Sequence, residues 1–288
     1  DDFGMRRHKS FFSRGELVDY VRAMVPRHLY HSAAYYQRPG APTMKEKIWK
    51  GADLIFDLDA DHLKNAPRSY SGMLEMVKKE TEKLLAFLMS DFGFSESRIA
   101  LVFSGGRGYH IHVRDQRILA FGSDERREIV DYLAGRGLDM DRFIHMAPMD
   151  GEWGKDRAFR LRAPAVRAPG WGGRINRSII SFVQDLRRLS EADAIALLSK
   201  RKGIGPKRAS SFYHSLQDKN VLEEIERGNL DLFRGSAPIW KILLAEFLDE
   251  EGVRAGFSLD PERGKTDEPV TADVRRLIRC PGSLHGGS

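Results

Sequence analysis

Cysteine is nearly absent: Cys280 stands alone among 288 residues. An internal disulfide and every cysteine-cluster zinc site are thereby excluded, and the shortage suits a reducing compartment. Long apolar runs are missing too. No stretch approaches the roughly 18 residues that a membrane helix needs, and no signal peptide is visible. No internal repeat or low-complexity tract stands out. The chain starts at Asp1 without methionine and stops at "HGGS", so both ends read as cut. What remains is 41% hydrophobic and 31% charged, with a net charge of +6 and a pI near 9.4. These values describe a soluble globular chain with one large domain or two ordinary ones. The basic excess suits a polyanionic partner.

The charge is unevenly spread. Between Lys155 and Arg177 lie seven basic residues (Lys155, Arg157, Arg160, Arg162, Arg167, Arg174, Arg177) and one acid, Asp156. Phe159 and Trp171 interleave with them. Such a stripe attracts backbone phosphates, and exposed aromatic faces stack on bases; a solvated arginine-rich loop is the plainer alternative. Along the chain, Ser13 caps a helix that Pro26 stops. "ADLIFDLDA" (Ala52 to Ala60) reads as a buried strand. A long helix follows, with Leu74, Val77, Leu84, Leu85 and Leu88 at helical spacing and Gly93 past its end. "RIALVF" and "YHIHV" read as strands around a glycine turn. "SDERREIVDYL" reads as a helix with acids in its first turn. From Ser190 to Gly252 only short helices are expected.

Three stretches carry chemistry. In "FDLDAD", Asp57 and Asp59 sit on one face of a strand, about 6.5–7 Å apart along it, while Phe56 and Leu58 face the core. Two carboxylates so close repel unless a cation lies between them, and Mg²⁺ or Mn²⁺ prefers such oxygen ligands. The same pair would also serve as hydrated loop acids. In "LVFSGGRGYHIHV", glycines let backbone approach an anion, Ser104 adds a hydroxyl and Arg107 a planar fork. His110 and His112 share a strand face. This is neither a P-loop nor a dinucleotide fingerprint, because G-K-[ST] is missing and a strand follows. A glycine hairpin with a surface arginine remains open at this point. In "TDEPVTADVRRLIRCPGSLHGG", Asp267 precedes Pro269. Thr271 can cap a short helix that places Arg275 and Arg279 on one face, and "GSLH" presents His285.

Taken together and in this order, the three stretches resemble the signature motifs of the small catalytic subunit of archaeal and eukaryotic-type DNA primases. The flanking "HSAAYYQRPGAPTMKEKIWKGADLIFDLDADHL" resembles archaeal members most. The resemblance implies an α+β primase fold: a mixed central sheet with a small inserted helical subdomain. Residues 1–188 would be catalytic core, 189–254 the helical subdomain and 255–288 the returning core. It implies that Asp57, Asp59 and Asp267 hold two divalent ions, Mg²⁺ or Mn²⁺. Ser104, Arg107, His110, Arg279 and His285 would cradle the nucleotide triphosphate. Asp61, Glu268 and Asp273 match no catalytic position, and His112 has no assigned role. The implied activity is template-directed nucleotidyl transfer, making short RNA or DNA primers. The implied partners are single-stranded DNA, nucleoside triphosphates and a large regulatory subunit, in the archaeal cytoplasm and with no membrane.

Two features depart from the family pattern. Residues 61–91 contain no cysteine and one histidine, His62, so no structural zinc knuckle is expected. Family chains also extend beyond both ends. One further motif, "LLSKRKGIGPKRASSF", resembles the hairpin of a helix-hairpin-helix, in which helix amides and cations such as Lys207 and Arg208 can hold a phosphate. A tight turn between packed helices would use the same residues. Rival readings are a repair or plasmid-type primase-polymerase, a catalytically dead nucleic-acid-binding relative, and a phosphohydrolase. Initiation without a primer, metal-dependent nucleotide binding and pyrophosphate release separate them.

Overall fold

The Ser13 hydroxyl accepts a hydrogen bond from the Glu16 amide, and this cap starts the first helix, α1 (Arg14–Met24). It stops at Val25, which takes a left-handed conformation before Pro26. The computed structural model describes residues 4–60, 67–148, 159–232, 235–247 and 268–284. They fall into two units, Asp1–Ala134 with Leu259–Ser288, and Gly135–Ser258.

In the first unit, strands β1 (Tyr30–Ser32), β2 (Ala34–Tyr36), β3 (Trp49–Ala52) and β4 (Leu54–Asp59) follow α1. β2 and β3 pair with each other. The run Leu54, Ile55, Phe56 and Leu58 is buried on both sides of β4, so burial rather than alternation defines that strand. Ser69 caps α2 (Tyr70–Ser90) by accepting from the Gly72 amide. This helix buries Val77, Leu84, Phe87 and Leu88. The strands β5 (Ile99–Phe103) and β6 (Gly108–Val113) form the hairpin around the glycine turn. They join β4 in a sheet of order β4–β6–β5, and α2 packs over β4 and β6. α3 (Ser123–Ala134) carries Asp124 and Glu125 in its first turn. From its buried face, Arg126 donates to the carbonyls of Ala52, Asp53 and Phe121.

The second unit holds α4 (Met140–Phe143), the antiparallel pair β7 (His145–Pro148) and β8 (Phe159–Arg162), and α5 (Gly170–Arg188). The short helices α6 (Glu191–Ser199), α7 (Pro206–Leu216), α8 (Val221–Glu226) and α9 (Ser236–Phe247) come next. One apolar cluster unites them: Ile179 and Val183 of α5, Leu198, Phe212, Ile225, and Trp240 and Leu243 of α9. The unit therefore begins before the all-helical stretch, because α5 turns its apolar stripe toward α6–α9. Trp171 is buried at 4% exposure. It offers no free face to a base, contrary to the expectation for the arginine stripe; Phe159 is exposed. Lys155 and Arg157 lie outside the described residues.

The chain then returns to the first unit through α10 (Glu268–Ala272) and β9 (Leu277–Arg279). The helix expected beyond Thr271 does not form. Thr271 is fully buried instead of capping, the helix stops at Ala272, and Asp273 turns the chain by accepting from the Arg275 amide. The segment after it is extended because β1 offers it a partner: Tyr30 faces Arg279, His31 faces Ile278 and Ser32 faces Leu277. Ile278 and Val270 bury against Ala33 and Ile55. Arg275 and Arg279 consequently do not share a helix face. The α+β class holds, and the sheets among the described residues are small and antiparallel.

Candidate nucleotide and metal site

Register places the site. In an antiparallel pair, residues directly opposite share a face. Across β4 and β6, Asp57 faces His110, Asp59 faces Gly108 and Ile55 faces His112. Both aspartates therefore emerge on the face that carries both histidines, the face that the return segment covers through Val270 and Ile278. His110 Nε2 lies 3.5 Å from Asp57 Oδ1. His110 is 6% exposed, and its pKa falls from 6.5 to about 4, through burial first and the Arg279 charge second, with Asp59 opposing. At neutral pH this is thus a contact between a carboxylate and a neutral imidazole rather than an ion pair.

His112 is 1% exposed and lies 5.8 Å, ring centre to ring centre, from the stacked His31 of β1. Burial, then His31 and His110, lower its pKa to about 4. The sequence assigns His112 no role, and the structure shows it behind His110, filling the space between β6 and β1.

The glycine turn is tightly tied. The Ser104 amide donates to Gly108 O at 2.9 Å, the Ala60 amide to Arg107 O at 3.2 Å, and Tyr70 Oη to Gly106 O at 2.8 Å. Gly105 has a φ of 83°, which glycine adopts without cost. Gly108 is glycine for another reason: a Cβ there would lie 1.9 Å from Leu58 O. Ser104 is buried and Arg107 is exposed at the tip. From the far end of the chain, Arg279 Nη1 donates to Ser104 O at 2.6 Å, and its guanidinium lies 6.0 Å from the Tyr30 ring centre. Arg279 Nε and His110 Nδ1 are buried without a hydrogen-bond partner among the described residues. The Arg279 Nε–H, a buried donor left over in this way, suits an anionic guest.

Six of the eight expected site residues are therefore placed: Asp57, Asp59, Ser104, Arg107, His110 and Arg279. Asp267 and His285 lie outside the described residues. With Asp267 unplaced, no group of three metal-ligating side chains converges among the described residues. Tyr30 and His31 escaped the sequence reading. Nothing local marks them, since their importance comes from pairing with a strand at the other end of the chain.

The family model described as DNA primase small subunit matches residues 56–288. The chain belongs to the DNA primase small subunit family. Its match opens at Phe56, directly before Asp57, so both aspartates, the glycine turn and β9 fall within it. A protein of Methanothrix thermoacetophila named DNA primase small subunit PriS is 58% identical over 292 residues, covering all of this chain and 72% of the relative. Proteins of the same name from Methanococcoides burtonii and Halobacterium salinarum are 47% and 41% identical, covering 99% and 100% of this chain and 70% of each relative. The archaeal-type small primase subunit expected from the motifs is thereby shown, and as a primase catalytic subunit the chain is a nucleotidyltransferase-type enzyme. No helix among the described residues is long and apolar enough to cross a membrane.

Proposed function

We propose that this primase subunit joins nucleotides on a single-stranded DNA template, forming short RNA or DNA primers in a divalent-metal-dependent reaction. One observation carries the reading. Three chain-distant segments meet on one sheet face: the Asp57–Asp59 pair, the Ser104–His110 turn, and Arg279, hydrogen-bonded to Ser104 O.

Asp57 and Asp59, with Asp267, would hold Mg²⁺ or Mn²⁺. The donor set fits: the carboxylates are hard oxygen ligands, and the adjoining imidazole is neutral and does not compete for them. Bound there, such ions lower the pKa of the attacking hydroxyl and offset charge on the triphosphate. The chain's own residues do the positioning. The Ser104 hydroxyl, the Arg107 fork, His110, Arg279 and His285 grip phosphate oxygens and offset charge that grows as pyrophosphate leaves. Burial of His110 and partial burial of Arg279 strengthen their hydrogen bonds to that anion. The partners are nucleoside triphosphates, the DNA template and a large regulatory subunit in a heterodimer, in the archaeal cytoplasm. No structural zinc belongs to this reading.

The test is the double substitution Asp57→Ala, Asp59→Ala. Primer synthesis on single-stranded DNA should fall at least about 100-fold, and Mn²⁺ should no longer tighten nucleotide binding, while the melting temperature stays near that of the parent. Near-normal synthesis by a folded double variant refutes the assignment. Chain initiation without a primer separates the replicative enzyme from a repair polymerase.

A further inference from the structure

Polymerase chemistry leaves one basic feature of the second unit unused. From Ala194 to Gln217 the sequence has five lysines and arginines (Lys200, Arg201, Lys202, Lys207, Arg208) and no acid. The fold gathers all five at one end. α6 and α7 are antiparallel neighbours, joined by the turn from Lys200 to Gly205. Ile204, 2% exposed, pins that turn into the apolar cluster. Acids go to the opposite end: Glu191 starts α6 and pairs with His214 near the end of α7 at 3.0 Å, and Asp218 follows α7. The turn end is thus of one sign, while the other end is mixed, since Lys219 follows Asp218 there.

The stability of the hairpin does not explain the cations. Lys200, Lys202 and Lys207 are exposed, and no ion pair holds them among the described residues. Lys207 and Arg208 stand in the first turn of α7, which contains no acid; cations there oppose the helix dipole and cost stability. Arg201 and Arg208 are held by the backbone, through Leu197 O at 2.6 Å and Gly203 O at 3.1 Å. Gly205 is open as well. Its φ is −78° and nothing lies within 4 Å of a Cβ built there, so any residue fits. Local choices that run against helix stability at an exposed, one-sign surface mark a site kept for a ligand.

We propose that the turn end of the α6–α7 hairpin binds the phosphodiester backbone of single-stranded DNA. The surface lies in the second unit and uses none of the residues assigned to nucleotidyl transfer. It rests on the primase reading only for the choice of polyanion. Flexible lysines at one exposed end fit a chain of evenly charged phosphates, without selecting its sequence.

The test is the triple variant Lys200→Gln, Lys202→Gln, Lys207→Gln, which leaves both backbone-bound arginines in place. Binding of a fluorescent single-stranded DNA oligonucleotide is titrated by anisotropy across salt concentrations, with neither metal nor nucleotide present. Affinity should fall about 10-fold or more at low salt, and the slope of log K against log salt should shrink by about 2, at roughly 0.7 for each phosphate no longer neutralised. The Lys→Arg triple variant should bind like the parent. Unchanged affinity overturns the proposal, and so does weaker binding at an unchanged slope. Parental DNA binding combined with weakened association to the large subunit also overturns it, in favour of an acidic protein partner. Failure of the polymerase reading is seen separately, in primer synthesis by the parent protein, which this metal-free titration does not measure.

Discussion

Gly108→Ala tests how closely the strand of the two proposed metal ligands depends on its neighbour. The φ of Gly108 is not positive, so alanine is conformationally allowed and the cost is purely steric. The new Cβ would meet Leu58 O at 1.9 Å, Leu58 C at 2.9 Å and Asp59 Cα at 3.0 Å. All three are backbone atoms of β4, and none can rotate away. Ordinary contact begins at 3.4 Å, so β4 and β6 must part by about 1.5 Å at this point. That stretches the Ala60–Arg107 bond, already 3.2 Å, beyond hydrogen-bonding range. Misfit of this kind costs about 1–3 kcal/mol, and the lost bond about 1 kcal/mol more. The sum is about 2–4 kcal/mol, a fall in melting temperature of roughly 5–15 °C for a unit of this size. Asp59 faces Gly108, so the shift also displaces a proposed metal ligand. Misplacement by about 1 Å lowers turnover by roughly 100-fold. Thermal melts and primer synthesis are measured on the same preparations, with Gly205→Ala as the control, since its Cβ would enter open space. If Gly108→Ala melts within about 2 °C of the parent and keeps full activity, the steric argument is wrong.

Further expectations concern pH, the buried arginine and the anion clamp. Because the pKa of His112 drops from 6.5 to about 4 on folding, only the unfolded chain takes up a proton between those values. Its contribution to stability is whole above pH 6.5, declines as pH falls toward 4, and is level below that. Urea titrations should show this histidine accounting for about 2 kcal/mol of lost stability between pH 7 and pH 5; His112→Phe should reduce the pH dependence by that amount, and an identical dependence would contradict it. Arg126→Met strands the carbonyls of Ala52, Asp53 and Phe121 and should cost about 3–5 kcal/mol in urea unfolding; a loss under about 1 kcal/mol would show that the three bonds contribute little. Arg279→Lys removes the fork that reaches Ser104 O and should raise the nucleotide KM about 10-fold with a smaller change in kcat; an unchanged KM would remove Arg279 from the cradle.

Local patterns told the truth about local structure. Ser13 caps a helix, the apolar run through Phe56 is a buried strand, and the glycine turn joins two strands, because neighbours in sequence decide each of these features. Asp57, Asp59 and His110 could be read as one group for the same reason, since strand parity fixes their face. Where the sequence misled, a distant partner decided. Arg275 and Arg279 have helical spacing, yet β1 captures the segment between Leu277 and Arg279 as a strand. Trp171 sits among arginines in sequence but is buried in space. His31 and Tyr30 carry no signal of their own; only pairing with Ile278 and Arg279 gives them a place at the site.

That β1–β9 ribbon also sets an order of events during synthesis. The ribosome delivers the two aspartates and the glycine turn early, and the hairpin around that turn can close at once. Arg279 emerges far later, and capturing β9 against β1 means closing a loop that spans nearly the whole chain, a slow step. A nascent polypeptide thus displays its acids well before Arg279 can reach Ser104 O, and the proposed site is whole only from the moment the return strand docks.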